Sequence, residues 1–154
     1  MTSLEAMTVA THFSNLLSTS YIDSTNSSEF YKLVVYSLYY LSQFPQRYLN
    51  AYSAFNWRFL DMLGFVVKYE NCISCHKIID AGDFYLSYKT GEIYCSECFK
   101  KSNINTFDYV KLSFEAVLAL NHYSEANYNQ LFSFKNSIET LNGLVDFTTK
   151  YLSH

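Results

Sequence analysis

Two CxxC pairs constrain the fold of this chain more than any other feature of its sequence. Cys72 and Cys75 form the first pair, Cys95 and Cys98 form the second, and nineteen residues separate the two pairs. Two residues between paired cysteines let both sulfurs point into one knuckle, and four thiolates at about 2.3 Å complete a tetrahedron around zinc. The spacing therefore predicts one structural Zn²⁺ bound by Cys72, Cys75, Cys95 and Cys98.

Other roles for these cysteines have to be weighed against zinc. A redox dithiol of the thioredoxin type needs a βαβ context, which the chain lacks. The run Cys72-Ile-Ser-Cys-His76 matches the c-type haem attachment signature, but haem implies export and leaves the second pair without a role. His76 could replace one cysteine as a ligand. With four cysteines in place, we expect His76 to form a hydrogen bond near the knuckle instead.

The composition favours helices over strands in the rest of the chain. Hydrophobic residues make up 49% of the 154 residues, which predicts a folded core. The chain has only 4 Gly and 1 Pro, whereas all-β proteins need many tight turns rich in both. A possible capping box, Thr2-x-x-Glu5, precedes the first helical pattern, and Ser28 is a candidate cap for the second.

Apolar residues recur at helical spacing in five stretches. Pro45 ends the second predicted helix or lies in the first turn of the third, and Gly64 fits the C-terminus of the third. The five stripes are Leu4, Met7, Ala10, Phe13, Leu17 and Tyr21; Phe30, Leu33, Val34, Leu38 and Leu41; Tyr48, Tyr52, Phe55, Phe59, Leu60 and Leu63; Phe107, Val110, Phe114, Val117, Leu118 and His122; Ile138, Leu141, Leu144, Val145, Thr148 and Leu152.

The pattern changes between the cysteine pairs. There, 84–88 and 92–94 flank Lys89-Thr90-Gly91, which indicates a β-hairpin with glycine in the turn. The predicted fold class is therefore mainly α: a helical bundle with an inserted small β-hairpin module of the zinc-ribbon type. We expect one domain over residues 1–154, with the zinc-binding insert at about 66–101.

Charge and hydropathy limit the partners. The net charge is −3 and no basic patch is visible, so this chain alone should bind single-stranded DNA weakly and in a salt-sensitive way. No targeting signal opens the sequence, and no apolar run is long enough to cross a bilayer. We therefore expect a cytoplasmic protein with no membrane partner.

The sequence offers no catalytic constellation. It contains no GxSxG, Gly-rich phosphate loop or HExxH, and its acidic residues are scattered. We expect no enzyme activity, no catalytic residue and no cofactor-binding residue beyond the metal ligands. His12 and His122 lie in helical stretches and are expected to be packed or solvated.

Aromatic residues make up 19% of the chain, which invites a base-stacking hypothesis. The densest group is Tyr39, Tyr40, Tyr48, Tyr52 and Trp57. Most of the aromatics fall on helical stripes, which favours core packing.

The stretch 55–65, ending in Leu63-Gly64-Phe65 and followed by the first CxxC pair, resembles the RecO family of bacterial recombination-repair mediators. The second pair and the helices after it also fit, and 141–153 is similar to the family's C-terminal helix. The resemblance covers nearly all of the chain and places the family's zinc ligands at the four cysteines. It implies that the chain starts where the family's N-terminal OB-fold domain would end, as a fragment or as a protein that lost this domain.

The resemblance implies a non-catalytic mediator. RecO-like proteins help to displace single-strand DNA-binding protein, anneal complementary strands and load recombinase together with RecR. The expected partners are a RecR-like protein and single-strand DNA-binding protein, whose tail occupies a hydrophobic pocket in the family's helical half. The alternative is a zinc-stabilised protein-interaction module unrelated to DNA, which the acidic net charge favours.

Overall fold

The computed structural model describes residues 4–17, 27–64, 69–79, 81–102, 108–133 and 136–152. Within these ranges it is mainly α, with one small antiparallel sheet, which confirms the predicted fold class. The helices are α1 (Leu4–Leu17), α2 (Ser27–Gln43), α3 (Tyr48–Met62), α4 (Ser96–Lys101), α5 (Phe114–Glu125) and α6 (Ile138–Leu152). The strands are β1 (Asp83–Ser87), β2 (Ile93–Cys95) and β3 (Tyr109–Ser113).

Helix α3 is the centre of the bundle and packs against α1, α2, α5 and α6. It is buried around most of its circumference, as expected of a helix with neighbours on every side. Phe55 stacks on Phe13 of α1 with ring centroids 4.0 Å apart. Trp57 packs on Phe147 of α6 at 5.4 Å. The third predicted stripe is confirmed at Phe55, Phe59 and Leu60, whereas Tyr48, Tyr52 and Leu63 are half-buried.

The predicted end of α3 at Gly64 is confirmed, and of the two positions predicted for Pro45 the structure shows the one just after the end of α2. Pro45 begins a 3-10 turn, Pro45–Arg47, between α2 and α3, where its missing N–H costs no hydrogen bond. Gly64 follows the helix with φ +85°, a conformation that glycine adopts without steric cost. Its N–H donates to the Asp61 carbonyl oxygen at 2.9 Å and closes the last turn.

Two predicted stripes are only partly correct. In α1, Leu4 and Met7 are 77% and 53% exposed, and the buried face is formed by Ala6, Val9 and Phe13. This helix meets the bundle along one narrow face, so apolar spacing alone did not fix its rotation. In α5, Leu118 is 42% exposed, and the core is instead lined by Ala116, Val117, Ala119, Leu120 and Tyr123.

Other expectations concern the ends of elements. Helix α2 begins at Ser27, so Ser28 lies in its first turn and not at the cap. The stripe of α2 is confirmed at Phe30, Leu33, Val34 and Leu41. Thr2, Tyr21, Phe65 and Phe107 lie outside the described residues.

The predicted hairpin is confirmed. Strands β1 and β2 pair antiparallel, with Phe84 opposite Cys95 and Leu86 opposite Ile93. Gly91 occupies the turn with φ +74°. Phe84, Leu86 and Ile93 point into the core, so the hairpin presents one apolar face to the helices.

The helical prediction for the stretch from Phe107 to His122 is wrong for the described residues before Phe114. Residues Tyr109–Ser113 form β3, which pairs antiparallel with β1 and gives the strand order β2-β1-β3. Pairing with β1 outweighs the helical spacing because it buries Leu112 beside Phe84. Helix α5 then begins at Phe114, capped by the Ser113 hydroxyl, which accepts from the Ala116 N–H at 3.2 Å.

The cysteine-bearing region is fixed to the bundle by a reciprocal pair of hydrogen bonds. The Asn121 side chain on α5 accepts from the Tyr69 N–H and donates to the Tyr69 carbonyl, both at 2.9 Å. This clamp positions the chain three residues before Cys72. The single domain with an insert at about 66–101 stays a prediction. Among the described helices, none is long and apolar enough to cross a membrane.

Candidate metal centre and aromatic groove

The first cysteine knuckle is a tight turn closed by backbone hydrogen bonds. The His76 N–H donates to the Cys72 carbonyl, and the Cys72 N–H donates to the Lys77 carbonyl, both at 3.0 Å. His76 has φ +61°, a left-handed conformation that histidine tolerates better than most residues. The Asn71 side chain donates to the His76 carbonyl at 3.0 Å and holds the turn.

The second pair lies where β2 meets α4. Cys95 is the last residue of the strand, and Cys98 follows within the first turn of the helix, so the two side chains lie on the same side. The Cys95 N–H donates to the Cys72 sulfur at 3.4 Å. The Ile73 N–H donates to the Ile93 carbonyl at 2.9 Å, which holds the two pairs together.

The four sulfurs form one cluster. Their Sγ atoms all lie within 4.8 Å of one another, and the Cys75 and Cys95 sulfurs are 3.8 Å apart. A tetrahedron with metal–sulfur distances of about 2.3 Å places its sulfurs about 3.8 Å apart. Cys72 is buried and Cys75 is exposed. The donor set therefore fits a single metal ion at the edge of the sheet.

The close approach of the four thiols shifts the pKa values of Cys72 and Cys98 in opposite directions. Burial disfavours the Cys72 thiolate, but hydrogen bonds from the backbone of Cys75, Cys95 and Ser74 outweigh burial and lower the pKa of Cys72 to about 6. The hydrogen bond between the Cys98 and Cys95 side chains, together with burial, raises the pKa of Cys98 to about 12. Without a cation the cluster keeps protons, whereas a bound metal ion deprotonates its thiol ligands.

The position of His76 bears on the alternative ligand sets. In the described part of the chain, the group that could hold a metal consists of the four cysteines and does not include His76. The imidazole is exposed, and the backbone of this residue closes the knuckle. The clustering also gives Cys95 and Cys98 a shared role, which the haem interpretation does not provide.

The other two candidate histidines make packing contacts. His12 Nε2 lies 2.7 Å from the Asn56 Oδ1 atom of the central helix. His122 Nε2 lies 2.8 Å from the Gln130 carbonyl oxygen. Among the dense aromatics, Trp57 is buried in the core, whereas Tyr39 is 65% exposed.

The exposed aromatics line a groove between α2 and the turn segment 127–133. Its cavity has a volume of about 310 Å³. Tyr36 stacks on Tyr128 at 5.0 Å, and Tyr40 stacks on Phe132 at 4.5 Å. We call this feature the aromatic groove, lined by Tyr36, Tyr39, Tyr40, Phe44, Tyr128 and Phe132.

One cation lies at the end of the aromatic groove. The Arg47 guanidinium is 4.8 Å from the Phe44 ring centroid. It forms no ion pair with the residues that the structure describes, and no aspartate or glutamate among them lines the groove. The groove is therefore apolar with a single positive charge.

Comparison with models of known protein families shows which family the chain belongs to. Residues 1–154 match the model of the family described as "Recombination protein O C terminal". The chain belongs to the RecO C-terminal family. This result confirms the resemblance found in the stretch before the first cysteine pair.

A curated RecO relative matches nearly the whole chain. The "DNA repair protein RecO" of Acetivibrio thermocellus is 27% identical over 149 residues, which are 97% of this chain and 57% of that protein. This chain thus spans a little over half the length of that RecO protein. No solved structure matches the chain at a significant level.

Sequence patterns predicted the cysteine cluster of this RecO-type chain but not its aromatic groove. One wall of the groove belongs to the segment 127–133, which lies between predicted helices. The Asn50 side chain donates to the Phe132 carbonyl at 3.0 Å, a contact across 82 residues. The available signal was Tyr36, Tyr39 and Phe44, aromatic residues that line the groove and do not belong to the predicted buried stripe of α2.

Proposed function

We propose that this chain is the zinc-bearing, partner-binding part of a RecO-type mediator of DNA repair and recombination. The family match over all 154 residues is the observation that carries the proposal. The printed name of the relative, a DNA repair protein, supports the same role. Membership in this family also favours the mediator over an interaction module unrelated to DNA.

In this proposal, Cys72, Cys75, Cys95 and Cys98 bind one structural Zn²⁺. The clustering of four sulfurs, two from a knuckle and two from a strand–helix junction, supports it. Zinc with four thiolates has no open position for water, so the ion contributes folding free energy rather than catalysis. Bound zinc links the turn at Cys72 to the start of α4.

The proposed role is not enzymatic. The RecO resemblance implies a mediator that acts through binding, without nucleotide hydrolysis or bond cleavage. Its steps are displacement of single-strand DNA-binding protein, annealing of complementary strands and recombinase loading with a RecR-like protein. With a net charge of −3, this chain alone contributes mainly protein binding, and its affinity for single-stranded DNA is weak.

We assign the tail of single-strand DNA-binding protein to the aromatic groove. The family resemblance implies such a pocket in the helical half. The groove is a mainly apolar surface with one cation, Arg47, which lies over the Phe44 ring and forms no ion pair with the described residues. This combination fits an apolar peptide that carries a carboxylate, because Arg47 pairs with the carboxylate while the aromatic rings bury the apolar side chains.

A pull-down with immobilised chain tests the proposal. We expect single-strand DNA-binding protein and a RecR-like protein in the bound fraction. Tyr39→Ala and Arg47→Glu should reduce capture of single-strand DNA-binding protein at least about tenfold, since each removes a groove contact worth more than about 1.4 kcal/mol. Absence of both partners from the bound fraction of the unmodified chain would count decisively against the proposed role.

A genetic test separates the mediator from an interaction module unrelated to DNA. The mediator proposal predicts that a deletion strain is sensitive to DNA-damaging agents. Normal survival of that strain would favour the unrelated module.

A further inference from the structure

We propose that Cys75 is an oxidation site, and that its oxidation to a disulfide with Cys95 releases the metal from the cysteine cluster. The oxidant is a peroxide, such as hydrogen peroxide. This inference rests on the proposed zinc centre and adds a reaction to it. It is carried by the unequal exposure of the four cysteines, by the distance between two of their sulfurs and by a cavity beside Cys95.

The four cysteines differ in how easily a small molecule in solution reaches them. Cys75 is exposed, Cys95 and Cys98 are half-buried, and Cys72 has only 1% of its surface exposed. The residues on both sides of Cys75, from 73 to 78, are exposed as well. Oxidation of a thiolate becomes easier as its exposure increases. Cys75 is therefore the cysteine that a peroxide reaches first.

Cys95 is the residue placed to react with an oxidised Cys75. Their Sγ atoms are 3.8 Å apart, and the Ile73 N–H donates to the Ile93 carbonyl at 2.9 Å, which holds the knuckle beside β2. The Cys72 sulfur is buried and accepts the Cys95 N–H at 3.4 Å, which keeps it in place. Oxidised sulfur condenses with a neighbouring thiol to a disulfide. We therefore expect a disulfide between the two pairs and not within either pair.

A cavity gives a peroxide a second approach to the cluster. Its volume is about 180 Å³, and Cys95 lines it together with Lys77, Phe84 and Ser96. A water molecule occupies about 30 Å³ in the liquid, so the cavity has room for a small peroxide. Cys72 is not among the described residues that line it. The cavity therefore opens toward the second reacting cysteine and not toward the buried one.

The reaction consumes one peroxide for each disulfide. The Cys75 thiolate attacks a peroxide oxygen, the O–O bond breaks, and the hydroxide that leaves takes up a proton. The Cys95 thiolate then attacks the sulfur of the Cys75 sulfenic acid. The S–S bond forms as the S–O bond breaks, and the second hydroxide also takes up a proton. Two thiolates, one hydrogen peroxide and two protons thus give one disulfide and two water molecules, and two electrons pass from sulfur to oxygen.

The disulfide removes two ligands from the metal. Zinc is bound by thiolates, and the sulfurs of a disulfide carry no negative charge. Cys72 and Cys98 alone leave the site incomplete, so the ion is released. The new bond joins the knuckle to β2 in place of the metal, and we expect the sheet to stay folded. A dithiol reductant reverses the reaction by thiol–disulfide exchange.

Peroxide treatment of the zinc-loaded full chain tests this inference. A chromogenic chelator measures zinc release, and mass spectrometry of unreduced fragments maps the disulfide. We expect zinc to fall from about one ion per chain to less than about a tenth of that, with a Cys75–Cys95 disulfide, and dithiothreitol with added zinc to restore it. Retention of zinc in excess peroxide, or a disulfide within either pair, would overturn the inference and leave the zinc centre in place.

Two histidine variants form a matched pair. Zinc also accepts three cysteines and one histidine, so Cys95→His and Cys98→His each offer four ligands. Cys98→His retains both reacting sulfurs and should recover zinc after reduction. Cys95→His lacks the second sulfur, so Cys75 should oxidise further to the sulfinic acid, and reductant should no longer restore zinc.

The outcomes separate this reaction from the zinc centre on which it rests. Equal recovery of zinc by the two histidine variants would overturn the role of Cys95. The disulfide map of the unmodified chain decides the pairing without either variant. A chain that holds no zinc before peroxide is added would overturn the proposed centre and this inference together.

Discussion

At the scale of single residues, backbone groups prepare the cysteine cluster for a metal. Cys72 is the buried member, and N–H groups around it stabilise its thiolate and lower its pKa to about 6. His76 adopts φ +61° so that its own N–H can return to the Cys72 carbonyl. In the proposed centre, His76 therefore acts through its backbone and the cysteines act through their sulfurs.

Removal of one sulfur should release the metal. Cys95→Ser is expected to lower zinc content well below one ion per chain and to cost more than about 4 kcal/mol of folding free energy, because loss of a metal is among the largest single-site effects. Metal analysis and denaturant unfolding measure the two quantities. His76→Asn is the control, since asparagine tolerates the same φ. An unchanged zinc content in Cys95→Ser, or zinc loss in His76→Asn, would contradict the assignment of ligands.

Arg58 has a structural role that its sequence context did not reveal. It donates to the Tyr123 carbonyl at 2.6 Å and to the Ala126 carbonyl at 2.5 Å, which ties α3 to the C-terminus of α5. Arg58→Met should cost roughly 2–3 kcal/mol, because two charged hydrogen bonds are lost and two carbonyls lose a donor. The same change at exposed Arg47 should alter stability by less than about 0.5 kcal/mol. Equal melting temperatures of Arg58→Met and Arg47→Met would show that Arg58 does not have this structural role.

At the scale of elements, the sequence predicted the helices and turns that depend on residues close together in the chain. The second and third helices, the end at Gly64 and the hairpin with Gly91 in its turn follow from apolar spacing and turn residues. Strand β3 did not, because Tyr109–Ser113 becomes a strand through pairing with β1, more than twenty residues earlier. The rotation of α1 also depends on tertiary contacts, which leave Leu4 and Met7 exposed.

The clamp between α5 and the cysteine region can be tested at the same scale. Asn121→Ala removes two hydrogen bonds to the Tyr69 backbone and should cost about 1–3 kcal/mol. Amide exchange at Tyr69 should become faster, while zinc remains bound. Asn142→Ala, at an exposed position on α6, is the matched control and should change neither quantity. Unchanged exchange at Tyr69 in Asn121→Ala would show that packing alone holds the region in place.

At the scale of the whole molecule, the sheet and the helices share one apolar core. Phe84, Leu86, Ile93 and Leu112 belong to the same buried cluster as Phe55 and Trp57. The cysteine cluster lies at the edge of the sheet, and the aromatic groove lies between α2 and segment 127–133. The cysteine cluster could be predicted from spacing, whereas the groove could not, because it forms only when α2 meets a turn that follows α5.

Chelation should distinguish the cysteine-bearing region from the helices of the bundle. After zinc removal, we expect fast hydrogen exchange in the knuckle at 72–76, in β2 and in α4, which carry the four cysteines. We expect continued protection in α2 and α3, whose packing does not involve the cysteines. Mass spectrometry of exchanged fragments measures both regions in one sample. Uniform loss of protection would mean that the bundle depends on the metal as much as the sheet does.

The most direct test of the account is X-ray absorption at the zinc edge, on protein purified without added metal. We expect one zinc per chain, with four sulfur neighbours at about 2.3 Å and no nitrogen or oxygen neighbour. Three sulfurs with one nitrogen would contradict the ligand set, and a metal-free protein or a Soret band in its visible spectrum would contradict the zinc centre itself.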